Sequence, residues 1–164
     1  MAKVSTATLK SYFNTGDTPT EANFINLFDS LENLDAASWD VDTTGVSDSS
    51  SKLQTIFNAA SDGDTVYLPK GTIYVNTSVS ITKKINIIGQ GTTIKITSAI
   101  KAFSLDVDGI SVQNIWFKYF TGTKNINQYG IFVNSKNDFK INNCVFEGLY
   151  HGIGFESTIL TGGS

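Results

Sequence analysis

Apolar residues recur with helical spacing in the first 34 residues of the chain. Residues 18–21 (Thr-Pro-Thr-Glu) form a capping-box pattern, with Thr18 as the predicted N-cap, and an apolar stripe follows it. The stripe comprises Phe24, Leu27, Phe28, Leu31 and Leu34. The pattern predicts a small helical segment over residues 1–34, with its main helix after Thr18.

This stripe needs a partner, because about 34 residues are too few to enclose a core unaided. It can pack on the rest of the chain. Alternatively, it can associate with copies of itself or attach to a larger assembly. The second alternative makes residues 1–34 an attachment or oligomerisation segment.

The spacing changes after residue 34. Residues 35–50 are a polar connector rich in Asp, Thr and Ser, and Leu53, Ile56, Phe57 and Ala60 then return to helical spacing. From residue 65 onwards, short alternating runs are separated by Asn, Gly, Asp and Lys, which is typical of strands and turns. The sequence therefore predicts a third unit over residues 51–164, with one helix followed by strands.

The strand-rich unit contains internal repeats. Residues 110–117 align with residues 139–146 at an offset of 29, matching four apolar positions and one Asn. Residues 103–106, 131–134 and 153–156 align at offsets of 28 and 22. Coils of about 25 residues with uneven turns describe a parallel β-solenoid better than a sandwich of hairpins. The predicted fold class is mainly β.

In a solenoid, equivalent residues of successive coils stack into ladders about 4.8 Å apart. The offset of 29 predicts that Phe117 and Phe146 stack in the interior, with Cys144 a core thiol above Ile115. It also predicts an exposed Lys118–Glu147 pair, and a corner ladder of left-handed asparagines whose amides bond neighbouring coils. The corner residues are Asn114 and Asn143.

Composition narrows the classes of partner. Charged residues are 16% of the chain, the net charge is −3, and all 12 basic residues are lysine. Without arginine or a basic stripe, nucleic-acid binding is not expected. The single cysteine cannot form an intrachain disulfide, and no apolar run is long enough to insert in a membrane.

Four segments carry a resemblance to a known superfamily. Residues 42–48, 53–60, 63–75 and 85–91, including the Leu-Pro-Lys-Gly run at 68–71, resemble the opening of the pectate-lyase superfamily of right-handed β-helices. The style is closest to that of bacteriophage tailspike proteins. The resemblance implies a right-handed parallel β-helix with an N-terminal capping helix, preceded here by the helical attachment segment.

For function, the resemblance implies a tailspike or tail-fibre subunit of a phage virion. The expected partners are itself, as a homotrimer, other tail proteins and host surface polysaccharide; such a protein is made in the host cytoplasm and ends up in the virion tail. The alternative is the N-terminal part of a polysaccharide-degrading enzyme, a lyase or glycosidase, with its catalytic coils beyond residue 164. The final coil looks open, which predicts either a longer natural polypeptide or a covering subunit.

Candidate catalytic residues are few. Lyases similar to this fold use a calcium-bound acidic cluster and an Arg or Lys base, and arginine is absent here, so the resemblance does not carry the activity over. No metal site and no cofactor are expected. Asp106 and Glu156 fall in one outward column, two coils or about 9.6 Å apart, close to the 6.5–9.5 Å of inverting glycosidases. His151 followed by Gly152 is the one dipeptide of the sequence that resembles a catalytic His-Gly pair. The other interpretation makes His151 a strand-entry residue equivalent to Tyr129.

Outward aromatic residues suggest a binding surface. Trp116 lies between two inward positions, and Tyr129 and Phe132 are expected nearby. Such a patch can stack on sugar rings or form a subunit interface, and the sequence leaves both alternatives open.

Overall fold

The computed structural model describes residues 11–13, 16, 18–32, 39–120, 124–134 and 136–156, and at 26 and 28–32 the backbone alone. It contains helices α1 (Glu21–Glu32) and α2 (Ser50–Ala59). The strands are β1 (Thr44–Asp48), β2 (Thr65–Leu68), β3 (Gly71–Val75), β4 (Val79–Ile81), β5 (Asn86–Ile96), β6 (Lys101–Leu105), β7 (Ile110–Tyr119), β8 (Tyr129–Val133), β9 (Phe139–Asn142), β10 (Val145–Glu147) and β11 (His151–Phe155).

All strand pairs are parallel, and they form two sheets. The large sheet runs β1-β3-β5-β7-β10, with β2 also paired to β5 and β9 to β7, and the small sheet runs β4-β6-β8-β11. Strands β5 and β7 each bend and pair with two shorter strands. The chain thus winds through about four turns, or rungs, of a β-solenoid, which confirms the predicted fold class.

The register reproduces the repeats found in the sequence. Ile110 pairs with Phe139, at the offset of 29, and Ile131 pairs with both Phe103 and Ile153, at offsets of 28 and 22. Offsets vary because the turns between strands differ in length while each strand keeps its neighbour on the rung below. Inward side chains therefore stack on those of the neighbouring rung whatever the length of the turns between the strands.

The core is a column of aliphatic ladders with an aromatic stack through it. Phe57, Phe103 and Phe117 are almost fully buried, and their rings meet edge to face at centroid distances of 5.7 and 5.3 Å. Phe146 stacks on Phe117 at 5.3 Å, as predicted. Cys144 packs half-buried against this core, and burial raises the pKa of its thiol, which disfavours the thiolate and agrees with the predicted core position.

Helix α2 covers the first rung. Its apolar face, Leu53, Ile56 and Phe57, is buried to 1% exposure or less. The Gln54 side chain accepts from the Ser80 backbone N–H and donates to the Ser80 carbonyl, both at 2.8 Å, so it pairs with the free edge of β4 as a strand would. The prediction of a capping helix is confirmed.

Two local expectations are corrected. Helix α1 begins at Glu21, and its cap is formed by Thr20 and not by the predicted Thr18. The Thr20 N–H donates to Asn23 Oδ1 at 2.8 Å, and the Asn23 N–H donates to Thr20 Oγ1 at 3.3 Å. The end of the predicted polar connector is a strand, since β1 pairs with β3.

The apolar stripe of α1 is described in part. Phe24 is 42% exposed and contacts the Phe13 ring edge-on at 5.7 Å, while Leu27 is half-buried. The side chains of Phe28 and Leu31, and all of Leu34, lie outside the described residues. The role of this stripe in attachment or oligomerisation stays a prediction.

Candidate binding surfaces

An acidic column runs along the edge of the small sheet, directly after its strands. The backbone N–H groups of Asp106, Asn134 and Glu156 donate to the carbonyls of the rungs below, at Ile81, Leu105 and Val133. The three residues therefore occupy equivalent positions on successive rungs, as the sequence predicts. Asp106 and Glu156 are two rungs apart, with Asn134 between them.

The carboxylate of Asp106 is held by its neighbours. One oxygen accepts from the Ser80 hydroxyl, and the other accepts from the Asn134 amide and, at 3.3 Å, from the Ser104 hydroxyl. The Asn134 amide also donates to Ser104 Oγ at 2.8 Å. This network fixes the carboxylate and places an amide between the two acids, where a glycosidase pair needs substrate and water. The arrangement favours a structural role for Asp106.

Aromatic side chains and one lysine gather on the outer face of the small sheet. We call this group the Tyr129 cluster, and it consists of Lys101, Tyr129, Phe132, Tyr150 and His151. The Tyr129 and His151 rings stack at 4.7 Å, the distance expected for equivalent residues of adjacent rungs. Phe132 meets Tyr129 edge-on at 5.0 Å, and Tyr150 meets His151 at 4.7 Å. Lys101 Nζ lies 3.4 Å from the centre of the Phe132 ring.

Gly154 makes room for this cluster. A Cβ atom at Gly154 would lie 2.3 Å from the Tyr129 ring and 3.0 Å from the Phe132 ring. Because the rings cover one another, Phe132 is only 8% exposed and does not itself present a contact surface. Beside the cluster lies an open depression of about 400 Å³, which Lys101, Asn127 and Tyr129 help to line.

Trp116 lies elsewhere, on the outer face of the large sheet, so the structure does not bring it together with Tyr129 and Phe132. Its ring is 41% exposed and borders a second open depression, of about 380 Å³, which we call the Trp116 depression. Its lining consists of Gly91, Thr92, Thr93, Asn114, Ile115, Trp116, Asn143 and Val145.

Two lysines lie on the same face of the large sheet as Trp116. Lys118 Nζ is 2.9 Å from Glu147 Oε1, which confirms the predicted pair, and lies 5.1 Å from the centre of the Trp116 ring. Lys95, one rung below, donates to the Gly45 carbonyl at 2.8 Å and lies 5.1 Å from the Tyr74 ring centre. Both ammonium groups therefore already have polar partners.

The acids with perturbed pKa values lie at turns. The Thr44 hydroxyl and the Ser47 and Thr44 N–H groups hold the pKa of Asp42 well below its usual range, and the Asn137 and Asp138 N–H groups lower that of Asp108. Donors to the ionised form are the cause in both cases. Within the described ranges, no three His, Cys, Asp or Glu side chains are placed to hold a metal ion.

No helix in the described part of the chain is long and apolar enough to cross a membrane. Sequence reasoning missed the contributions of Lys101 and Tyr150 to the Tyr129 cluster. Lys101 could have been found from the repeat, because the offsets of 28 and 22 place it on β6 in register with Tyr129 and His151. Tyr150 precedes a strand and carries no such signal.

Comparison with known proteins agrees with this fold. Residues 35–109 match the family model described as rhamnogalacturonase A/epimerase, pectate lyase-like. The solved structure of ORF18 from Geobacillus virus E2 superposes with a TM-score of 0.61 at 20% identity, over 81% of this chain and 31% of that one. The chain thus spans about a third of the length of that viral protein. No curated protein matches it.

Proposed function

We propose that this chain is a structural protein of a phage virion. The premise is its pectate-lyase-like β-helix, whose fold a phage protein shares. In this proposal it is a tailspike or tail-fibre subunit. The helical N-terminal segment attaches to other tail proteins, and the β-helix projects towards the host surface and contacts its polysaccharide.

The observation that carries the proposal is the fold shared with the viral protein over 81% of this chain. A solenoid with α2 over its first rung suits a projecting rod, because rungs can be added in one direction from a closed end. The exposed Phe24 and Ile25 on α1, 42% and 50% exposed, suit a segment that docks on other protein.

The test is the location of the chain. Mass spectrometry of density-purified particles from a phage that encodes it should find its peptides at a fixed ratio to a known tail protein. Labelled antibodies should bind at the tail and not at the head. Absence from the particles, with the chain present in the infected-cell lysate, would contradict the proposal.

We further propose that the chain assembles as a homotrimer through the α1 stripe. Analytical ultracentrifugation of the purified chain should give the mass of a trimer. Phe24→Asp should shift the mass towards a monomer, while Glu21→Gln at the exposed start of the same helix should not. A monomer for the unaltered chain would contradict this assembly.

A polysaccharide-degrading enzyme is the second candidate, favoured by the rhamnogalacturonase description of the matching family model. Here Asp106, Glu156 and His151 are the candidate groups, and the network around Asp106 weighs against them. Reducing-end and unsaturated-uronate assays on rhamnogalacturonan and on host surface polysaccharide should show no cleavage by this chain. Cleavage that Asp106→Asn or Glu156→Gln abolishes would replace the structural proposal with the enzymatic one.

A further inference from the structure

The Trp116 depression combines an aromatic face with uncharged polar groups. It lies where β7 bends at Asn114, and no charged side chain of the described residues lines it. Its volume of about 380 Å³ is within the range of small-molecule sites. A site with this lining suits a neutral ligand, because the ammonium group beside it, that of Lys118, is already paired with Glu147.

The polar groups around the depression are mostly uncommitted. The Asn143 amide donates to Asn114 Oδ1 at 2.9 Å, which leaves the Asn114 NH₂ group as a donor and Asn143 Oδ1 as an acceptor. The Thr93 hydroxyl and the Trp116 indole N–H have no hydrogen-bond partner among the described residues. The lining therefore offers both donors and acceptors beside one aromatic ring, and the hydroxyls of a sugar can bond to either kind.

The arrangement is also held in place before any ligand arrives. Trp116 is on a strand paired on both sides, with Thr93 on the rung below and Val145 on the rung above. The two asparagines are fixed by their left-handed backbone and by their mutual hydrogen bond. Lys118, itself paired with Glu147, lies against the indole. A preorganised site loses little conformational entropy on binding.

We propose that the Trp116 depression binds a neutral sugar residue of a surface glycan. The C–H face of the sugar packs on the indole, and its hydroxyls bond Thr93, Asn114 and Asn143. This deepens the proposed function and rests on it for the source of the glycan. The site lies on the large sheet, away from the Tyr129 cluster and the acidic column.

Tryptophan fluorescence can test this directly, because the chain has only two tryptophans, Trp39 and Trp116. In a Trp39→Phe background, emission reports on Trp116 alone. The probes are four neutral trisaccharides, of glucose, galactose, mannose and N-acetylglucosamine, and one acidic one, trigalacturonate. At least one neutral trisaccharide should shift the emission with saturation below about 10 mM, and trigalacturonate should bind more weakly.

Three variants separate the site from the fold. Asn143→Gly removes the amide but keeps a residue that tolerates φ of 49°, so the corner should fold and binding, followed by fluorescence, should weaken about tenfold. Trp116→Ala should abolish binding measured by calorimetry. Phe120→Ala is the matched control, because Phe120 is an aromatic of similar exposure, 44%, near the end of the same strand but outside the depression.

The outcomes are distinct from those of the virion test. Saturable binding of a neutral trisaccharide that Trp116→Ala removes and Phe120→Ala leaves supports the site, even if the chain is absent from phage particles. No binding by any neutral probe, tighter binding of trigalacturonate, or binding that Trp116→Ala leaves intact would overturn it, even if the chain is found in the tail.

Discussion

Asn114 and Asn143 have φ values of 58° and 49°, in the left-handed region that other side chains avoid. They occupy the same corner on successive rungs, and the amide of one bonds the amide of the other at 2.9 Å. Asparagine suits this position because its short polar side chain tolerates the left-handed backbone and can also link rungs. A single residue type thereby turns the chain and ties two rungs together.

The corner can be tested by replacing Asn114. Asn114→Ala should lower the free energy of unfolding by about 1–2 kcal/mol, because alanine is strained at positive φ and cannot bond Asn143. Asn114→Gly removes the same bond without the strain and should retain more stability. Urea denaturation of the three proteins measures both differences. An alanine variant as stable as the glycine variant would show that backbone strain does not govern this corner.

At the residue scale, sequence predicted the corner asparagines and the Lys118–Glu147 pair, because both follow from a constant offset. It did not separate Trp116 from Tyr129 and Phe132. The offsets fix which rung a residue is on and which side it faces, but not which of the two sheets its strand joins. The burial of Phe132 was equally out of reach, since it depends on Lys101 and on the space at Gly154.

At the scale of elements, α2 protects the open start of the solenoid in two ways. Its apolar face covers the interior, and Gln54 satisfies the edge of β4 with a pair of hydrogen bonds. Ser50, at the start of α2, contributes two more hydrogen bonds: its hydroxyl accepts from the backbone N–H groups of Asn76 and Thr77, which lie between β3 and β4. An edge closed in this way cannot recruit another strand.

Gln54→Ala tests the edge closure. The variant leaves the Ser80 N–H and carbonyl without their partners, so we expect a loss of about 1–3 kcal/mol in unfolding free energy and faster aggregation. Thr55→Ala, at an exposed position on the same helix, is the control for helix propensity. Chemical denaturation and light scattering over time provide the two readouts. If both variants aggregate at the rate of the unaltered chain, Gln54 is not what protects β4.

Elements were predictable from sequence where one physical cause dominated. The apolar face of α2 and the repeated strands follow from burial, which imposes periods of about 3.6 and 2 residues. The start of α1 and the strand β1 did not follow from burial. Thr18 and Thr20 both fit an N-cap, and the choice depends on which partner is within reach, here Asn23. Strand β1 has only one buried residue, Gly45, so its sequence looks like a polar connector.

At the scale of the whole molecule, one aromatic stack connects the cap to the last described rung. Phe57 of α2, Phe103 of β6, Phe117 of β7 and Phe146 of β10 contact one another in turn, at centroid distances from 5.3 to 5.7 Å. In a solenoid each rung is stabilised mainly by its direct neighbours. A residue that contacts two rungs should therefore matter more than one at the end of the stack.

Phe117→Ala and Phe146→Ala test this dependence on position. Phe117 is fully buried between two rings, so its removal should cost about 3–5 kcal/mol, whereas the half-buried Phe146 contacts one ring and should cost about 1–2 kcal/mol. Hydrogen exchange should show that Phe146→Ala lowers protection mainly in β9–β11, while Phe117→Ala lowers it on both sides of β7. If the two variants lose the same unfolding free energy and protection falls uniformly, the solenoid unfolds as one cooperative unit. The effect of a substitution would then not depend on the rung that carries it.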